Sequence, residues 1–484
     1  MNSIWSKTTD MPEYPALSGD VTTEAAVIGG GLAGILTAYY LQQRGIKTIV
    51  LEANRIGSGQ TKNTTAKITA QHNLIYHKLI QDFGEEKAKQ YADANEQAIA
   101  EYRRLITKNR IDCDFEERPA YLYSTSQQDV LALEQETAAA QKLEIDAMFT
   151  KQSTLPFPIV GAVKFHGQAQ FHPLKFLRTI AKDLTIFEQT KVKTVEDDRI
   201  LTAQGAVRAK HIVFATHFPF INLPGFYFAR MHQERSYVLA LEHAAQLDGM
   251  YLGIDAEGLS FRNIDHTLLL GGGGHRTGEN SVGGKYDMLR KKAAIFYPEN
   301  VETAHWSAQD CMPMDGVPYI GQFSSSTPNW HVATGFGKWG MTGCMVSAML
   351  LSDQIAGREN PHADVFSPQR FTPSASTKAL LTDTVQAVKG LSRQVFTLSK
   401  EKIEALPASH GGVVAYDGEK AGVYKDEHGE VFLVSTRCPH LSCQLEWNPD
   451  EKSWDCPCHG SRFNYKGKLI DNPAQEDLEG GDHA

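Results

Sequence analysis

Residues 24–34 read EAAVIGGGLAG, and this stretch decides the fold of the first part of the chain. The apolar residues up to Ile28 predict a short strand, and an apolar run of helical length, residues 35–41, follows the glycines. The glycines have the spacing GxGxxG, at Gly29, Gly31 and Gly34. Strand, glycine turn and helix in this order are typical of an α/β unit that binds a dinucleotide.

Each glycine has a physical reason to stand at its position. Gly29 permits the tight turn, Gly31 lets backbone N–H groups approach a pyrophosphate, and Gly34 lets the helix pack closely on the strand. The helix N-terminus then favours the anionic phosphates. Glu52 follows a second predicted strand, residues 48–51, where its carboxylate can accept hydrogen bonds from a ribose. On these residues alone the dinucleotide could be NAD or FAD.

Further stretches resemble the D-amino-acid oxidase/sarcosine oxidase superfamily of FAD-dependent enzymes. These are residues 55–61 (RIGSGQT), 212–216 (IVFAT), 313–321 (PMDGVPYIG) and 332–342 (VATGFGKWGMT). The resemblance covers roughly residues 20–358 and implies FAD, bound by segments at about 20–75, 190–222 and 311–358. It adds to the expected FAD contacts Gly59, Thr61, Asp315, Gly337, Gly340, Met341 and Thr342.

The resemblance also implies a smaller α+β substrate domain inserted between these segments, and a substrate that is an amine or an amino acid. Arg262 is a candidate ligand for a substrate carboxylate, because arginine pairs bidentately with that group. Lys67 and Lys338 are candidates for tuning the flavin or facing oxygen. The cofactor supplies the difficult chemistry of amine oxidation, so no protein base is required.

The C-terminal part of the chain contains a different kind of site. Four of the seven cysteines lie within residues 438–458, in the stretches CPHLSC (438–443) and CPCHGS (456–461). The candidate metal ligands are Cys438, His440, Cys456 and His459. Two cysteines and two histidines could bind zinc tetrahedrally, and they also have the Rieske order of a [2Fe–2S] site.

The whole string resembles the Rieske domain of the respiratory type. The resemblance implies that Cys438 and Cys456 ligate one iron and that His440 and His459 ligate the other. It further implies a disulfide between Cys443 and Cys458, and a hydrogen bond from Ser461 to a cluster sulfide. Phe463 stands where the respiratory proteins have a second donor, a tyrosine. We therefore expect a reduction potential below the respiratory range.

Composition and motifs together predict three segments and exclude several classes of protein. We expect an α/β Rossmann-like FAD-dependent oxidoreductase domain with its α+β insertion at 1–360, a connector at 361–393 and an all-β Rieske domain at 394–484. A net charge of −9 without a basic block argues against nucleic acid as a partner. Nowhere do 18 consecutive apolar residues predict a transmembrane segment, and no signal peptide is visible, so a cytoplasmic location is expected.

Two redox modules on one chain predict an electron relay. In this interpretation substrate reduces FAD, and the electrons pass through the [2Fe–2S] cluster to an external acceptor, a protein or a quinone. The alternative is a flavin oxidase whose Rieske domain is a docking or redox-sensing module and does not relay turnover electrons.

Overall fold

The computed structural model describes residues 2–370, 406–416 and 419–480. The predicted connector is therefore described only as far as residue 370, and the start of the predicted Rieske domain, 394–405, lies outside the described residues. Within them the helices are α1 (Ile4–Thr8), α2 (Leu32–Gln43), α3 (Tyr76–Phe83), α4 (Glu85–Asn109), α5 (Val130–Lys142), α6 (Pro173–Ala181), α7 (Lys285–Phe296), α8 (Gly340–Ile355) and α9 (Ala363–Phe366). None of these helices is long and apolar enough to cross a bilayer.

Within the described ranges the strands form five sheets. In chain order they are β1 (Val21–Ile28), β2 (Thr48–Leu51), β3 (Lys67–Ile68), β4 (Glu116–Glu117), β5 (Ala120–Ser124), β6 (Ala147–Thr150), β7 (Gly161–Phe165), β8 (Ala169–Gln170), β9 (Thr185–Phe187), β10 (Val192–Glu196), β11 (Arg199–Thr202), β12 (Ala206–Phe214), β13 (Met231–Glu242), β14 (Met250–Gly253), β15 (Ser260–Ile264), β16 (Thr267–Arg276), β17 (Val301–Pro313), β18 (Tyr319–Ser324), β19 (Thr327–Thr334), β20 (His410–Tyr416), β21 (Glu419–Lys425), β22 (Val431–Ser435), β23 (Glu446–Asn448), β24 (Ser453–Asp455), β25 (Arg462–Asn464) and β26 (Leu469–Asp471). The smallest sheet has the order β3–β8–β4.

The first large sheet contains the predicted dinucleotide-binding unit. Its path is β10–β11–β12–β1–β2–β9, with β19 paired to β12 and β18 paired to β19. β1 lies parallel to both β2 and β12, and its last four residues are buried. Parallel strands need helical connections that cover the sheet, and α2 makes the connection from β1 to β2. The predicted α/β fold is confirmed.

The second large sheet is the inserted domain, and its two faces have different neighbours. Its order is β17–β13–β16–β15–β14–β5–β7–β6, and most of its pairs are antiparallel. Val238 and Trp306 lie opposite each other on the face that packs in the core with the parallel-sheet domain. Tyr237 and Leu239 point the other way and pack with α7. The face of β13 and β17 that carries Val238 therefore looks towards the dinucleotide-binding unit.

The C-terminal domain is built from two small antiparallel sheets, as the all-β prediction requires. One has the order β20–β21–β22 and the other β23–β24–β25–β26. Trp454 on β24 and Phe463 on β25 are fully buried and lie opposite each other across the strands. They belong to the same apolar cluster as the four cysteines, so this small core supports the loops that carry the candidate metal ligands.

Candidate functional site

The turn between β1 and α2 has room only for glycine at two positions. Gly29 has a φ of +111°, and an added Cβ would lie 2.4 Å from the carbonyl oxygen of Ala215. At Gly34 an added Cβ would lie 1.9 Å from the carbonyl oxygen of Gly29. Gly31, at the N-cap of α2, makes no side-chain cap of its own. Strand and helix are therefore packed closely, and the positive end of the helix dipole faces this turn.

Glu52 and Thr61 stand beside this turn. The Glu52 carboxylate accepts hydrogen bonds from the backbone N–H groups of Gly30 (2.6 Å) and Asn54 (2.8 Å). Burial raises the pKa of Glu52. The Thr61 hydroxyl oxygen accepts from the backbone N–H of Leu32 at 3.0 Å. Both side chains thus support the glycine turn between β1 and α2 and also border the open space in front of it.

A cavity of about 1530 Å³ extends from this turn to the inserted sheet. Most of the residues expected to contact FAD line it, namely Gly29, Gly31, Glu52, Gly59, Thr61, Gly337, Gly340 and Met341. A Cβ added at Gly59 or Gly340 would meet no heavy atom within 4 Å, so the backbone there borders open space. The N-terminus of α8, at Gly340, also lies at this cavity. The residues present therefore fit a bound dinucleotide such as FAD.

Three of the expected FAD contacts do not line the cavity. Gly34 is occupied in packing α2 on β1, as described above. Asp315 forms a bidentate ion pair with Arg370, with both N–O distances 2.8 Å. Thr342 is buried in the first turn of α8, where its hydroxyl lies 3.1 Å from His72 Nε2. Asp315 and Thr342 are thus bound by protein groups, and their contact with the cofactor stays a prediction.

Arg262 has a different place from the one expected. Its Nη1 donates to the carbonyl oxygens of Thr65 (2.6 Å) and Ala66 (2.7 Å), and its guanidinium lies over the ring of Trp5. The side chain is 1% exposed and does not line the cavity. Arg262 Nη1 therefore holds the segment that leads to Lys67, and binding of a substrate carboxylate by Arg262 stays a prediction.

Lys67 does line the cavity. Its Nζ donates to the Ser260 hydroxyl oxygen at 2.6 Å and to the carbonyl oxygen of Tyr251 at 2.9 Å. Burial, together with the nearby charge of Arg262, lowers the pKa of Lys67 to about 7. The amine is therefore only partly charged at neutral pH.

Lys338 is the second cavity lysine, and it is ion-paired. Its Nζ lies 3.0 Å from Glu234 Oε2. Burial by itself would lower the pKa of Lys338, but the charges of Glu234 and Asp310 outweigh it and raise that pKa. The hydrogen bond with His232 and the charge of Lys338 lower the pKa of Glu234 to about 2. Lys338 is thus a charged group with a carboxylate already assigned to it.

The candidate metal ligands lie on two loops of the C-terminal domain. Loop 1 (residues 438–443) is closed by a hydrogen bond from the Cys438 N–H to the carbonyl oxygen of Cys443, 2.9 Å long. Loop 2 (residues 456–461) is closed in the same way between Cys456 and Ser461, at 2.8 Å. These turns bring the two sequence stretches together. The hydroxyl oxygen of Ser461 accepts a hydrogen bond from the backbone N–H of Ala474 at 3.0 Å.

The two histidines of these loops face each other with one nitrogen each unused. The rings of His440 and His459 are 4.9 Å apart and nearly perpendicular. Their Nδ1 atoms are buried and have no hydrogen-bond partner among the described residues. Burial lowers the pKa of His440 to about 4 and that of His459 to about 3, which keeps both imidazoles neutral. Two neutral imidazoles beside two buried thiols are the donor set of a Rieske [2Fe–2S] cluster, and they fit it.

The other two cysteines are joined in a disulfide. The structure bonds Cys443 to Cys458 and so ties loop 1 to loop 2. The sulfurs of Cys443, Cys456 and Cys458 lie within 4.8 Å of one another. Because two of these three form the disulfide, they offer no thiolate, and the free cysteines of the loops are Cys438 and Cys456.

Loop 2 docks on the inserted sheet. Gln233 on β13 donates through Nε2 to the carbonyl oxygen of His459 at 2.6 Å. Gln309 on β17 donates through Nε2 to the carbonyl oxygen of Gly460 at 2.8 Å. An added Cβ at Gly460 would lie 2.6 Å from the Gln233 Cβ, so the contact is close. The loop that carries His459 therefore touches the two strands that line the cavity.

Buried charges hold the same interface. Glu451, between β23 and β24, accepts from Arg235 Nε at 3.1 Å and from Arg462 Nη2 at 2.6 Å. Burial would raise the pKa of Glu451, but the two guanidinium groups outweigh it and lower that pKa. Arg235 belongs to the inserted sheet and Arg462 to the C-terminal domain. One carboxylate thus bridges arginines of both domains.

The outer edge of the histidine pair is covered from the flavin side of the molecule. His440 Nε2 lies 2.7 Å from the Asn222 Oδ1. The ring of Phe228 lies 5.8 Å from that of His459 and 6.4 Å from that of His440. Two residues of the loop before β13 therefore lie against this edge.

Sequence reasoning missed several residues at these contacts. Gln233 and Gln309 at the interface, and Asn222 and Phe228 over the histidines, belong to no motif. The acidic residue Asp310, which lines the cavity, stands three positions before the matched segment 313–321. Strand alternation could have placed Asp310 on one face of β17, but it gives no partner for that face.

The fold and the site together define a flavin-dependent oxidoreductase with an iron–sulfur domain at its C-terminal end. Residues 24–354 match the family of FAD dependent oxidoreductases, DAO, and residues 400–480 match the Rieske [2Fe-2S] domain. The chain belongs to the DAO family and carries a Rieske domain. FAD and a [2Fe–2S] cluster are its cofactors, which confirms both expectations.

Known proteins resemble the whole chain or its parts. The Bacillus subtilis (strain 168) protein YhfW, named as a Rieske 2Fe-2S iron-sulfur protein, is 36% identical over 99% of this chain and 97% of its own length. The gamma-glutamylputrescine oxidoreductase of Escherichia coli (strain K12) is 25% identical over 42% of this chain and 50% of its own. In fold the chain is similar to the glycine oxidase of Geobacillus kaustophilus, with a TM-score of 0.61 at 17% identity, covering 72% of this chain and 99% of that one.

Proposed function

We propose that the protein is a dehydrogenase that oxidises an amine or amino acid and sends the electrons through its Rieske cluster to an external acceptor. FAD accepts two electrons from a substrate, and a [2Fe–2S] cluster carries one at a time. The observation that supports the proposal is the position of loop 2. The two strands that line the cavity, β13 and β17, also bind the backbone of His459 and Gly460.

The ligand set belongs to this proposal. Cys438 and Cys456 would hold one iron and His440 and His459 the other, with the orphaned Nδ1 atoms as the donors of the histidines. Ser461 would donate to a sulfide from beside Cys438.

The test is low-temperature EPR on anaerobic protein whose flavin has been photoreduced selectively. We expect a rhombic Rieske-type signal to appear as the flavin absorbance bleaches. The variant His459→Ala should lose the signal, and His428→Ala, on an exposed turn of the same domain, should keep it. A bleached flavin together with an oxidised cluster in the unaltered protein would contradict the relay. Protein without iron would instead favour zinc as the metal bound by the two cysteines and two histidines.

A second candidate is a flavin oxidase whose Rieske domain senses redox state or docks the enzyme. The contact between His440 and Asn222 favours it, because this contact covers the edge from which electrons would leave. Turnover separates the two candidates. The relay predicts that His459→Ala abolishes reduction of the natural acceptor, whereas the alternative predicts unchanged oxygen consumption with substrate.

The acceptor and the location complete the proposal. We take the acceptor to be a protein or a quinone, and we place the enzyme in the cytoplasm. Fractionation of cells, with the protein followed by immunoblot, tests the location. The disulfide between Cys443 and Cys458 is compatible with a reducing compartment because both cysteines are largely buried.

A further inference from the structure

One stretch of the C-terminal domain lies along the cavity that fits FAD. This stretch, residues 469–477, consists of β26 and the chain that follows it, and we call it the closing segment. Most of its residues line the same cavity as the glycine turn between β1 and α2, namely Leu469, Ile470, Asp471, Asn472, Gln475 and Asp477. The iron–sulfur domain therefore forms part of the wall of this cavity.

Asn472 joins the closing segment to both sheets that enclose the cavity. Its Nδ2 donates hydrogen bonds to the carbonyl oxygens of Thr216 (2.9 Å) and Phe218 (2.7 Å). Both residues follow β12, which pairs with β1 in the parallel sheet. The carbonyl oxygen of Asn472 accepts from Nε2 of Gln233 on β13, at 3.1 Å. Asn472 thus holds the closing segment in place from two directions.

Two further contacts reach the cavity wall near the glycine turn. The Asp471 Oδ1 accepts from Gln60 Nε2 at 3.0 Å, and Gln60 directly precedes Thr61, whose hydroxyl supports the start of α2. The carbonyl oxygen of Gln475 accepts a hydrogen bond from Lys191 Nζ. Gln60 and Lys191 both line the cavity. The closing segment is therefore anchored along the part of the cavity that begins at the glycine turn.

The acidic side chains of the closing segment are compensated where they border the cavity. Asp471 Oδ2 is paired with Arg462 Nη1 at 3.0 Å, and Asp477 Oδ2 with Lys468 Nζ at 3.0 Å. Glu476 is exposed and does not line the cavity. Opposite charges close to each acid reduce its repulsion of a nearby anion. The segment can therefore lie beside a ligand that carries an anionic pyrophosphate.

Ile470 presents an apolar side chain to this space. Its neighbour Leu469 packs against the small core of the C-terminal domain, and successive side chains of a strand point to opposite sides. Ile470 is 48% exposed and lines the cavity. Burying apolar surface against the ring of a ligand lowers the free energy of the complex. The side chain therefore offers a contact for a planar ring of FAD.

We propose that the closing segment is part of the FAD-binding site, so that the C-terminal domain holds FAD in the cavity and bound FAD holds that domain docked. Ile470 contacts the cofactor, and Asn472 positions the segment that carries it. Coupling of this kind is reciprocal, because docking and FAD binding must favour each other by the same factor. The inference goes beyond the proposed function and requires neither the relay nor a particular substrate.

The first measurement is the affinity of the full-length protein for FAD. The flavin is removed from protein that keeps its cluster, and FAD is titrated back with its fluorescence as the readout. Asn472→Asp replaces an amide donor by a carboxylate oxygen that faces two carbonyl oxygens, and Ile470→Asp places a charge on the cavity wall. We expect each variant to weaken FAD binding by about ten-fold or more.

Matched variants and a second readout make the result specific. Asn464→Asp keeps the oxygen that accepts from the backbone of Lys466 and Lys468, and Leu131→Asp changes a side chain that is 63% exposed on α5; both should bind FAD as the unaltered protein does. Hydrogen–deuterium exchange of peptides from residues 456–478 reads docking. In the unaltered protein FAD should slow this exchange, and in Asn472→Asp the slowing should be lost.

Iron content and the EPR signal of dithionite-reduced protein show that the C-terminal domain is folded in each variant. If Asn472→Asp lost its cluster, Ile470→Asp, which replaces no hydrogen-bonding group, would decide the test. Unchanged FAD affinity in a segment variant that keeps its cluster, or exchange that FAD does not alter, would overturn the proposal. Neither readout uses substrate or flavin photoreduction, so a failure here is distinct from a failure of the relay.

Discussion

The carboxylate of Glu451 is the contact through which the interface between the two redox domains can be tested most sharply. It accepts from Arg235, Arg462 and the hydroxyl of Ser307 (2.8 Å), and its side chain is 8% exposed. In Glu451→Gln one oxygen becomes an amide NH₂, which cannot accept a hydrogen bond from a guanidinium. We expect the docked arrangement to lose stability.

The two arginines would be affected unequally. Arg462 keeps two other carboxylates, Asp455 and Asp471, each at 3.0 Å. Arg235 keeps Gln309 at 3.2 Å, and its nearest remaining carboxylate among the described residues is Asp471 at 3.9 Å. Breaking a buried ion pair by removing one partner costs about 3–5 kcal/mol. The remaining contacts of Arg235 place the expected loss at about 3 kcal/mol, or roughly 100-fold in an equilibrium constant.

Two measurements follow this loss. The free energy of the first urea transition, read by tryptophan fluorescence, should fall by about 3 kcal/mol. The rate at which the cluster signal appears after flavin photoreduction should fall with it, because fewer molecules have loop 2 docked. Glu427→Gln, on an exposed turn of the same domain, is the control. The double variant Arg235→Met/Glu451→Leu should recover part of the stability, since an apolar pair replaces the charges.

If Glu451→Gln lowered the free energy of the first urea transition by less than about 1 kcal/mol, this reasoning would be refuted, because that is the scale of an exposed ion pair. It would mean that the carboxylate is hydrated in solution and that the backbone contacts of loop 2 hold the interface. An unchanged rate of cluster reduction together with the full loss of stability would instead separate docking from electron transfer.

Three further predictions concern the glycine turn between β1 and α2, the cluster and stability in acid. Gly29→Ala should abolish flavin binding, measured by flavin absorbance after gel filtration, because the new Cβ would lie 2.4 Å from a carbonyl oxygen of Ala215; normal flavin content would contradict the close packing. Phe463→Tyr should raise the reduction potential of the cluster in an EPR-monitored titration, since it adds a hydroxyl donor near sulfur, and no change would remove the argument. The folded pKa values of Glu234 and Glu451 lie below their unfolded ones, so the stability that these groups contribute is present above about pH 4.3 and is lost as the pH falls towards 2. In urea unfolding at a series of pH values, Glu234→Gln should therefore lose less free energy of unfolding over this range than the unaltered protein. The same pH dependence of the free energy of unfolding in both proteins would count against this prediction.

Short-range sequence patterns predicted the glycine turn at residues 29–34 well. The glycines at 29, 31 and 34 lie in one turn, so their spacing alone specifies the backbone geometry. The strand before them begins at Val21, three residues earlier than the apolar run suggested. Boundaries shift in this way because pairing with neighbouring strands and capping by nearby groups extend an element beyond its own pattern.

The partners of single charged residues could not be predicted from the sequence. Arg262 is a good carboxylate ligand by its chemistry, but in the folded chain its donors are used by the backbone at residues 65 and 66. Asp315 lies in a matched segment and yet is bound by Arg370, 55 residues away. A side chain's partners depend on which distant segments reach it, and a motif does not record them.

The sequence by itself determined the two cofactor-binding elements, because each is built from residues that are close together along the chain. The GxGxxG turn and the paired Cys-x-His and Cys-x-x-His loops carry their chemistry in their spacing. Only the tertiary structure decided how the two are joined. The contacts of His440 with Asn222 and of Gln233 with His459 span 218 and 226 residues. Contacts of this range form only when the β-sheets pack, so local spacing and residue type cannot specify them.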